Sequence, residues 1–487
     1  MSNLSELLPT GGGQNAVDFV ATGTLASGQT VALKTDGTVE AVSGVAEGVG
    51  TAAVFESADT GYINAIYDSN SNKVVIAYSD VANSYYGTAI VGTVSGTSIS
   101  FGTAVLFAGS SLAYYVGATF DSNSNKVVIA YQNAATYGAA VVGTVSGTSI
   151  SFGTAVVFES AATYFPSATF DSTNNKVVIA YRDQDNGKYG TAIVGTVSGT
   201  SISFGTAVVF RSLGNVQLWE RSTVFDSTNS KVVIAYNTSG NASQGEAVVG
   251  TVSGTSISFG SMTVFEGSYS IGHVSLAFDS TNGKVIFAYT DVGSGNTRYG
   301  TAIVGTVSGT SISFGTKVAF NSILTSGPSI SYDLSAKKSV ISYYNSGTGY
   351  GTNIVGTVSG TSISFGTPVV FNTGATEYIS NIYDSTSSKV VTAYRDDGNS
   401  NYGTAVVFTV GSSNNTDFIG ITSEAISSGA TGAINTYGGI NTVQTGLTIA
   451  SDYYVQSDGT LSTASASPAI KVGQAVSATT INMKDLT

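Results

Sequence analysis

A unit of just over fifty residues recurs seven times between about residue 48 and residue 411, and a period of that size sets the architecture before any single residue is considered. Its clearest marker is an Asp, a short polar turn, a Lys and an apolar run, as in DSNSNKVVIAY from Asp68 to Tyr78. The marker recurs at Asp121, Asp171, Asp226, Asp279, Asp333 and Asp384, at intervals of 53, 50, 55, 53, 54 and 51 residues. A second marker, VGTVSGTSISFG, begins at Val91, Val142, Val194, Val249, Val304 and Val355, which makes six intact copies for seven Asp turns. The seventh copy is divided: YGTAVVFTVG at 402–411 supplies its start, and GVGTAAVFES at 48–57 resembles the segment that follows SISF in the intact copies.

Each unit reads as four strands. In the first these are A (YINAIYDS, 62–69), B (KVVIAYSD, 73–80), C (YGTAIVGTVSG, 86–96) and D (SISFGTAVLF, 98–107). Strand B is almost continuously apolar, as expected of a strand covered on both faces by neighbouring sheets. A divided copy places an N-terminal D strand against C-terminal A, B and C strands, which closes a ring and leaves only short edges. The sequence therefore predicts an all-β chain: a seven-bladed β-propeller at 48–411 whose last blade is closed by the N-terminal strand. Residues 1–47 and 412–487 lie outside the repeat.

The vocabulary agrees, with 59 Gly, 10% charged residues and abundant Val, Ile, Tyr, Phe, Thr and Ser suiting strands joined by tight turns. A net charge of −12 argues against nucleic acid and against a polybasic membrane-surface protein. The absence of Cys and the single His predict neither a disulfide framework nor a metal or cofactor site. No apolar run reaches the roughly 18 residues that span a bilayer, so no membrane insertion is expected. The start, MSNLSELLP, lacks a basic n-region and a long apolar stretch, so no export signal is expected.

Along the repeat, A–B turns (DSxxxK) and C–D turns (SGTS) share one rim, while B–C and D–A connections share the other. The first rim is nearly invariant from unit to unit, and the second varies in length and sequence. All five arginines, Arg182, Arg211, Arg221, Arg298 and Arg395, fall on the variable rim, as do the only Trp, Trp219, and the only His, His273. Arg suits planar recognition of carboxylates, and Tyr and Trp offer flat faces with polar tips. The candidate binding residues are Arg182, Asp183, Trp219, Glu220, Arg221, Arg298, Arg395 and Asp396, with Tyr85/Tyr86, Tyr114/Tyr115, Tyr164/Phe165, Tyr189, Tyr269, Tyr350, Tyr378 and Tyr402 adding aromatic area beside Asp185, Asp291 and Asp397. No catalytic residues are assigned. The Tyr of each Tyr-Gly pair reads as strand-start packing, and the marker Asp residues as turns bonding their own backbone, since DSNSNK lacks the spacing of a calcium loop.

The ends carry their own hairpin grammar, with Asp36-Gly37 and Asp458-Gly459 each set between alternating segments. The two termini are expected to form one small β-domain together. The opening SELLPTGGGQNAVDFVATGTLASGQTVALKTDGTVEAV, the segment FIGITSEAISSGATG (418–432) and the closing YYVQSDGTLSTASASPAIKVGQAVSATTINM (453–483) resemble segments of tail-fibre and other virion surface proteins of marine tailed bacteriophages. The resemblance covers about a quarter of the chain. It implies an attachment domain that contacts other virion proteins and presents the repeat unit on the particle surface.

The expected function is a non-enzymatic virion structural protein, a fibre or a capsid or tail decoration component. Its variable rim is expected to bind a host surface glycan or protein, with homo-oligomeric or multivalent display offsetting weak single sites. Two alternatives share the fold. One is a propeller glycosidase, sialidase-like or polysaccharide-degrading, in which several arginines hold a carboxylate and paired acids act on the glycosidic bond; the S-x-D-x-G-x-x-W box of sialidases is absent, the C–D turns reading SGTS. The other is a bacterial surface adhesin.

Overall fold

The computed structural model describes residues 16–239, 244–293, 298–465 and 469–483. The chain divides into two compact units, Gly48–Val410 and a second made of Met1–Glu47 with Gly411–Thr487. Regular structure is almost entirely antiparallel β, with two single-turn 3-10 segments and no α-helix among the described residues.

In Gly48–Val410 the first repeat forms strands at Ala53–Asp68, Lys73–Asp80, Tyr86–Ser95 and Ser98–Phe101. The A–B hairpin closes on Asp68 opposite Lys73, and the equivalent Asp–Lys pair closes it at each of the other six markers. The marker carboxylate is spent inside its own turn. Asp68 Oδ1 accepts from the backbone N–H of Asn70 and Ser71, both at 2.9 Å, and Asp171 and Asp279 do the same in theirs. The residue before each Lys, Asn72 or Asn125 for example, then takes a left-handed backbone with φ of 53–60°.

Strand B is buried on both faces: Val74 to Tyr78 are at most 1% exposed. Val75 and Ala77 pack toward the second repeat, while Val74, Ile76 and Tyr78 pack toward the last, beside Val391, Ala393 and Val407. Every further core cluster of this unit likewise joins neighbouring repeats, so the contacts run in cyclic order from first to last and back to the first. The divided seventh copy is rejoined. Tyr402–Thr409 pairs with the N-terminal segment, Phe408 opposite Val49 and Ala405 opposite Ala53, in the register that Ala140 and Val156 show inside an intact copy.

One expectation needs correction. Several D–A connections, expected as loops, are continuous strands: Ala53–Asp68, Val156–Asp171 and Val318–Asp333 each pair first with strand C of one repeat and then with strand B of the next. The change of partner is absorbed by register shifts, which keep the backbone extended without a turn. Of the B–C connections, residues 240–243 and 294–297 lie outside the described residues.

The terminal unit contains two five-stranded antiparallel sheets. In one, Ala16–Val20, Thr431–Thr436, Phe418–Thr422, Thr30–Leu33 and Val39–Ala41 are neighbours in that order. The other includes Asp452–Val455, Leu461–Ser462 and Ile470–Ala475. Both Asp-Gly hairpins form, with Gly37 at φ 82° and Gly459 at φ 84°, and in each the Asp Oδ1 accepts from the following Thr. The opening motif up to residue 15 lies outside the described residues, as do residues 466–468 of the closing one.

Candidate functional site

The A strands bend where they leave the variable rim. Register shifts fall between Gly61 and Asn64, Tyr114 and Gly117, Tyr164 and Ser167, Gly272 and Val274, Ser326 and Ser329, and Glu377 and Ser380. At each shift one residue sits at positive φ: Tyr62 (50°), Tyr115 (51°), Phe165 (53°), His273 (31°), Gly327 (55°) and Tyr378 (49°). Each is six residues before a marker Asp. The seventh equivalent position, before Asp226, is Glu220. There strand A is broken into Asn215–Gln217 and Thr223–Asp226, and Leu218–Ser222 forms a turn in which the Ser222 hydroxyl donates to the Trp219 carbonyl at 2.8 Å.

These bends assemble an aromatic arc. The Tyr62 ring lies 4.9 Å from Tyr115 and 5.4 Å from Tyr378, and Tyr115 lies 4.4 Å from Phe165. Tyr114, Tyr85 and Tyr164 extend it outward. The arc borders a cavity of about 550 Å3 lined by Tyr62, Phe165, Trp219, Glu220, His273, Arg298 and Tyr378, among others. A second cavity of about 340 Å3 lies further along the same strands and takes its lining from the A strands of all seven repeats. Glu220 and Arg221 border both.

Arg221 spans this passage. Its Nη1 donates to the Ala65 carbonyl at 3.1 Å and to Ser380 Oγ at 2.8 Å, and its Nη2 donates to the Asn381 carbonyl at 2.6 Å. It thereby ties the fourth repeat to the first and the seventh. Loss of solvent around the guanidinium lowers its pKa to about 10.

Glu220 is the opposite case. Desolvation raises its carboxyl to about 7, its own backbone N–H being the partner that opposes the rise. His273 opens onto the cavity but is surrounded by protein, and that desolvation, with the charge of Arg298, lowers it to about 4. Its ring centroid is 5.9 Å from that of Trp219.

Of the eight residues expected to bind, the structure brings Trp219, Glu220, Arg221 and Arg298 to the cavity. Arg221 is a correction, since its donors are engaged by strand groups inside the passage and do not face out from the rim. Arg182 stacks over Tyr164 and Phe165, 4.6 and 5.4 Å from their centroids, and backs the arc. Asp183 is buried and caps its own B–C turn through the Asn186 N–H at 3.1 Å. Arg395 lies 4.9 Å from the Tyr378 centroid and bonds Glu377 and Asp397, both at 2.6 Å. Asp396 accepts from Asn372 at 3.0 Å. Arg211, on the same rim, pairs with buried Glu246 at 2.8 Å. The Tyr-Gly tyrosines read as packing are half-exposed at Tyr137, Tyr299 and Tyr350.

Sequence reasoning missed Tyr62, which touches three other rings of the arc, and the acceptors Ser380 and Asn381. Tyr62 was detectable as the residue six before Asp68, where the other repeats place Tyr115, Phe165 and Tyr378. The acceptors carry no such signal, because two of the three contacts are to backbone carbonyls.

No family model and no curated protein matches the chain. Solved structures similar to it include the intramolecular trans-sialidase from Ruminococcus gnavus, at 9% identity over 74% of this chain and 97% of that one, TM-score 0.45. AofleA from Arthrobotrys oligospora aligns at 10% identity over 72% and 97%, TM-score 0.41. A chain of the mitotic checkpoint complex aligns at 10% identity over 74% and 94%, TM-score 0.46. At these scores the likenesses carry no functional inference.

Proposed function

We propose that Gly48–Val410 is a seven-bladed β-propeller that binds a host surface glycan at the mouth of its central passage, and that the chain is a non-enzymatic virion surface protein, a fibre or decoration component attached through its terminal unit. The aromatic arc carries this reading. A bulky residue at positive φ costs on the order of 1 kcal/mol or more, and strain of that kind collects at ligand sites. Here three aromatic residues at positive φ, Tyr62, Phe165 and Tyr378, line one cavity, and a fourth, Tyr115, packs its ring against Tyr62 and Phe165. Their flat faces with polar tips suit the apolar face and hydroxyls of a sugar ring. The cyclic order of core contacts and the rejoined seventh copy support the ring. The virion assignment rests on the terminal motifs.

Two experiments test it. Wild-type protein is expected to bind a subset of an array of host-envelope glycans, and a Tyr115→Ala, Tyr378→Ala variant is expected to lose that binding while melting as a folded protein; equal array signals reject the site. Antibody against the chain is expected to decorate purified particles, and unlabelled particles reject the virion reading.

A glycosidase is the second reading, favoured by one observation. A carboxyl shifted to about 7 is poised to donate a proton to a leaving oxygen at neutral pH. The other cavity acid, Glu377, is ion-paired to Arg395 at 2.6 Å. Release of reducing sugar from host polysaccharide that disappears in Glu220→Gln establishes this reading over simple binding.

A further inference from the structure

We infer that the cavity selects a ligand bearing a cationic amine, a protonated or quaternary ammonium, held between the Glu220 carboxylate and the faces of the aromatic arc. The inference rests on the reading of this cavity as the binding site and names the chemistry that it recognises.

Glu220 occupies the repeat position that in four other units holds an arc aromatic. No Lys, Arg or His nitrogen forms an ion pair with its carboxylate among the described residues, and the adjacent Arg221 has turned to the Ala65 and Asn381 carbonyls. The groups near enough for its charge to act on are the hydroxyls of Tyr62, Tyr115 and Tyr378, each of which titrates upward, chiefly from burial and further from Glu220. The other titratable groups on the cavity wall are His273, neutral above its pKa of about 4, Arg298 beside it, and Glu377, paired to Arg395.

An uncompensated carboxylate in a poorly solvated site disfavours an anionic ligand. A neutral sugar leaves the carboxylate as costly as before. An ammonium supplies the missing charge and also gains from ring quadrupoles around it, the combination by which aromatic cages hold such groups. Among glycans the matching class is one with a free amino sugar or a quaternary ammonium substituent.

Trp219, the chain's single Trp, lines the cavity and reports occupancy by its own fluorescence. Full-length protein is titrated with tetramethylammonium, glucosamine and N-acetylglucosamine. Saturable responses to the two cations, with N-acetylglucosamine weaker by about tenfold or more, are expected for a charge-assisted contact. Glu220→Gln, nearly isosteric, is expected to lose that preference while keeping its melting transition. Tyr62→Leu keeps every charge and is expected to weaken tetramethylammonium by removing one face. Binding of tetramethylammonium, whose charge is fixed, should tighten in wild type as pH rises from 6 to 8 and lose that dependence in Glu220→Gln.

Equal affinity for the amine and the N-acetyl sugar, or cation binding unchanged in Glu220→Gln, overturns the inference and leaves the glycan reading standing. Array-positive protein that answers to no ammonium overturns it too. Ammonium binding by an array-negative protein supports the inference and removes the glycan reading instead.

Discussion

The fourth repeat and its neighbours use the same stretch of chain in opposite ways. In the other six, strand A runs from the rim to the marker Asp with one register shift, and the residue five before the Asp is apolar: Ile63, Val116, Pro166, Val274, Pro328 and Ile379. In the fourth, the strand is interrupted and that residue is Arg221, reaching 2.6–3.1 Å contacts with the first and seventh repeats. All seven copies line the passage, and the odd one also bridges it. In a repeated architecture the shared residues report the fold, and the single departure points to what was placed inside it.

The largest expected effect comes from erasing that departure. Arg221→Ala leaves the Ala65 and Asn381 carbonyls without their charged donor and opens one cavity into the other. A loss on the order of 3 kcal/mol is expected, because hydrogen bonds to a charged group are the costly ones to remove. It should appear as a lower melting temperature and a red shift of Trp219 emission. An unchanged melting point would mean that the guanidinium only recovers its own desolvation cost, and the bridge would be a gate and not a tie.

Next in size is the invariant rim. Asp68→Ala removes an acceptor serving two backbone N–H groups at 2.9 Å, and about 1–2 kcal/mol is expected from such a turn. Asp279→Ala should cost somewhat more, since its Oδ2 also accepts from the Asn282 side chain at 2.8 Å, and the double variant should cost their sum, because the two turns share no partner. Marked non-additivity would show that the repeats are coupled more strongly than adjacent packing implies.

This contrast explains what the sequence made legible. The period, the A–B turn and strand B were readable because each is a local solution repeated seven times: Asp on its own turn, apolar residues on both faces of a covered strand. The Asp-Gly hairpins were readable for the same reason, since a three-residue turn ending in a Gly at positive φ is chemistry within five residues. The site was readable only in part. Trp219, Glu220 and Arg298 stood out on the variable rim, but placement on that rim also selected Asp183, which caps its own turn, and Asp396, which accepts from Asn372, and it misplaced Arg221. Where a unique side chain points is decided by neighbours more than 150 residues away, as with Arg221 and Ser380, and no periodic pattern carries that information. Tyr62 was overlooked for the converse reason, because it belongs to a recurring position that looks structural until the bends converge.

A smaller effect separates two groups facing the cavity by the sign of their pH dependence. Glu220 is raised from 4.5 to about 7, so the folded state binds its proton more tightly than the unfolded one. Its contribution is fullest below 4.5 and is lost as pH rises toward 7. His273 is lowered from 6.5 to about 4, so its contribution is present above 6.5 and is lost as pH falls toward 4. The two oppose each other between about pH 4.5 and 6.5, and wild-type stability should be nearly flat there. Glu220→Gln is expected to leave a melting temperature that rises with pH in that window, and His273→Gln one that falls. Parallel curves for all three proteins would show that solvent reaches both groups freely.

The largest expected change in binding comes with a change in stability that opposing terms reduce. Tyr62→Gly removes ring contacts to Tyr114, Tyr115 and Tyr378, at 5.8, 4.9 and 5.4 Å, each worth about 0.5–1.5 kcal/mol. It also removes the cost of a tyrosine at φ 50°, of order 1 kcal/mol or more, which glycine does not incur. The terms have opposite signs, so the melting shift is expected to fall short of the roughly 1.5–4.5 kcal/mol that the three contacts sum to, while array binding disappears. A large drop with binding retained would place Tyr62 among the packing residues and return the arc to the scaffold. A small drop with binding lost identifies the bend as a place where the fold tolerates strain in order to present a ring.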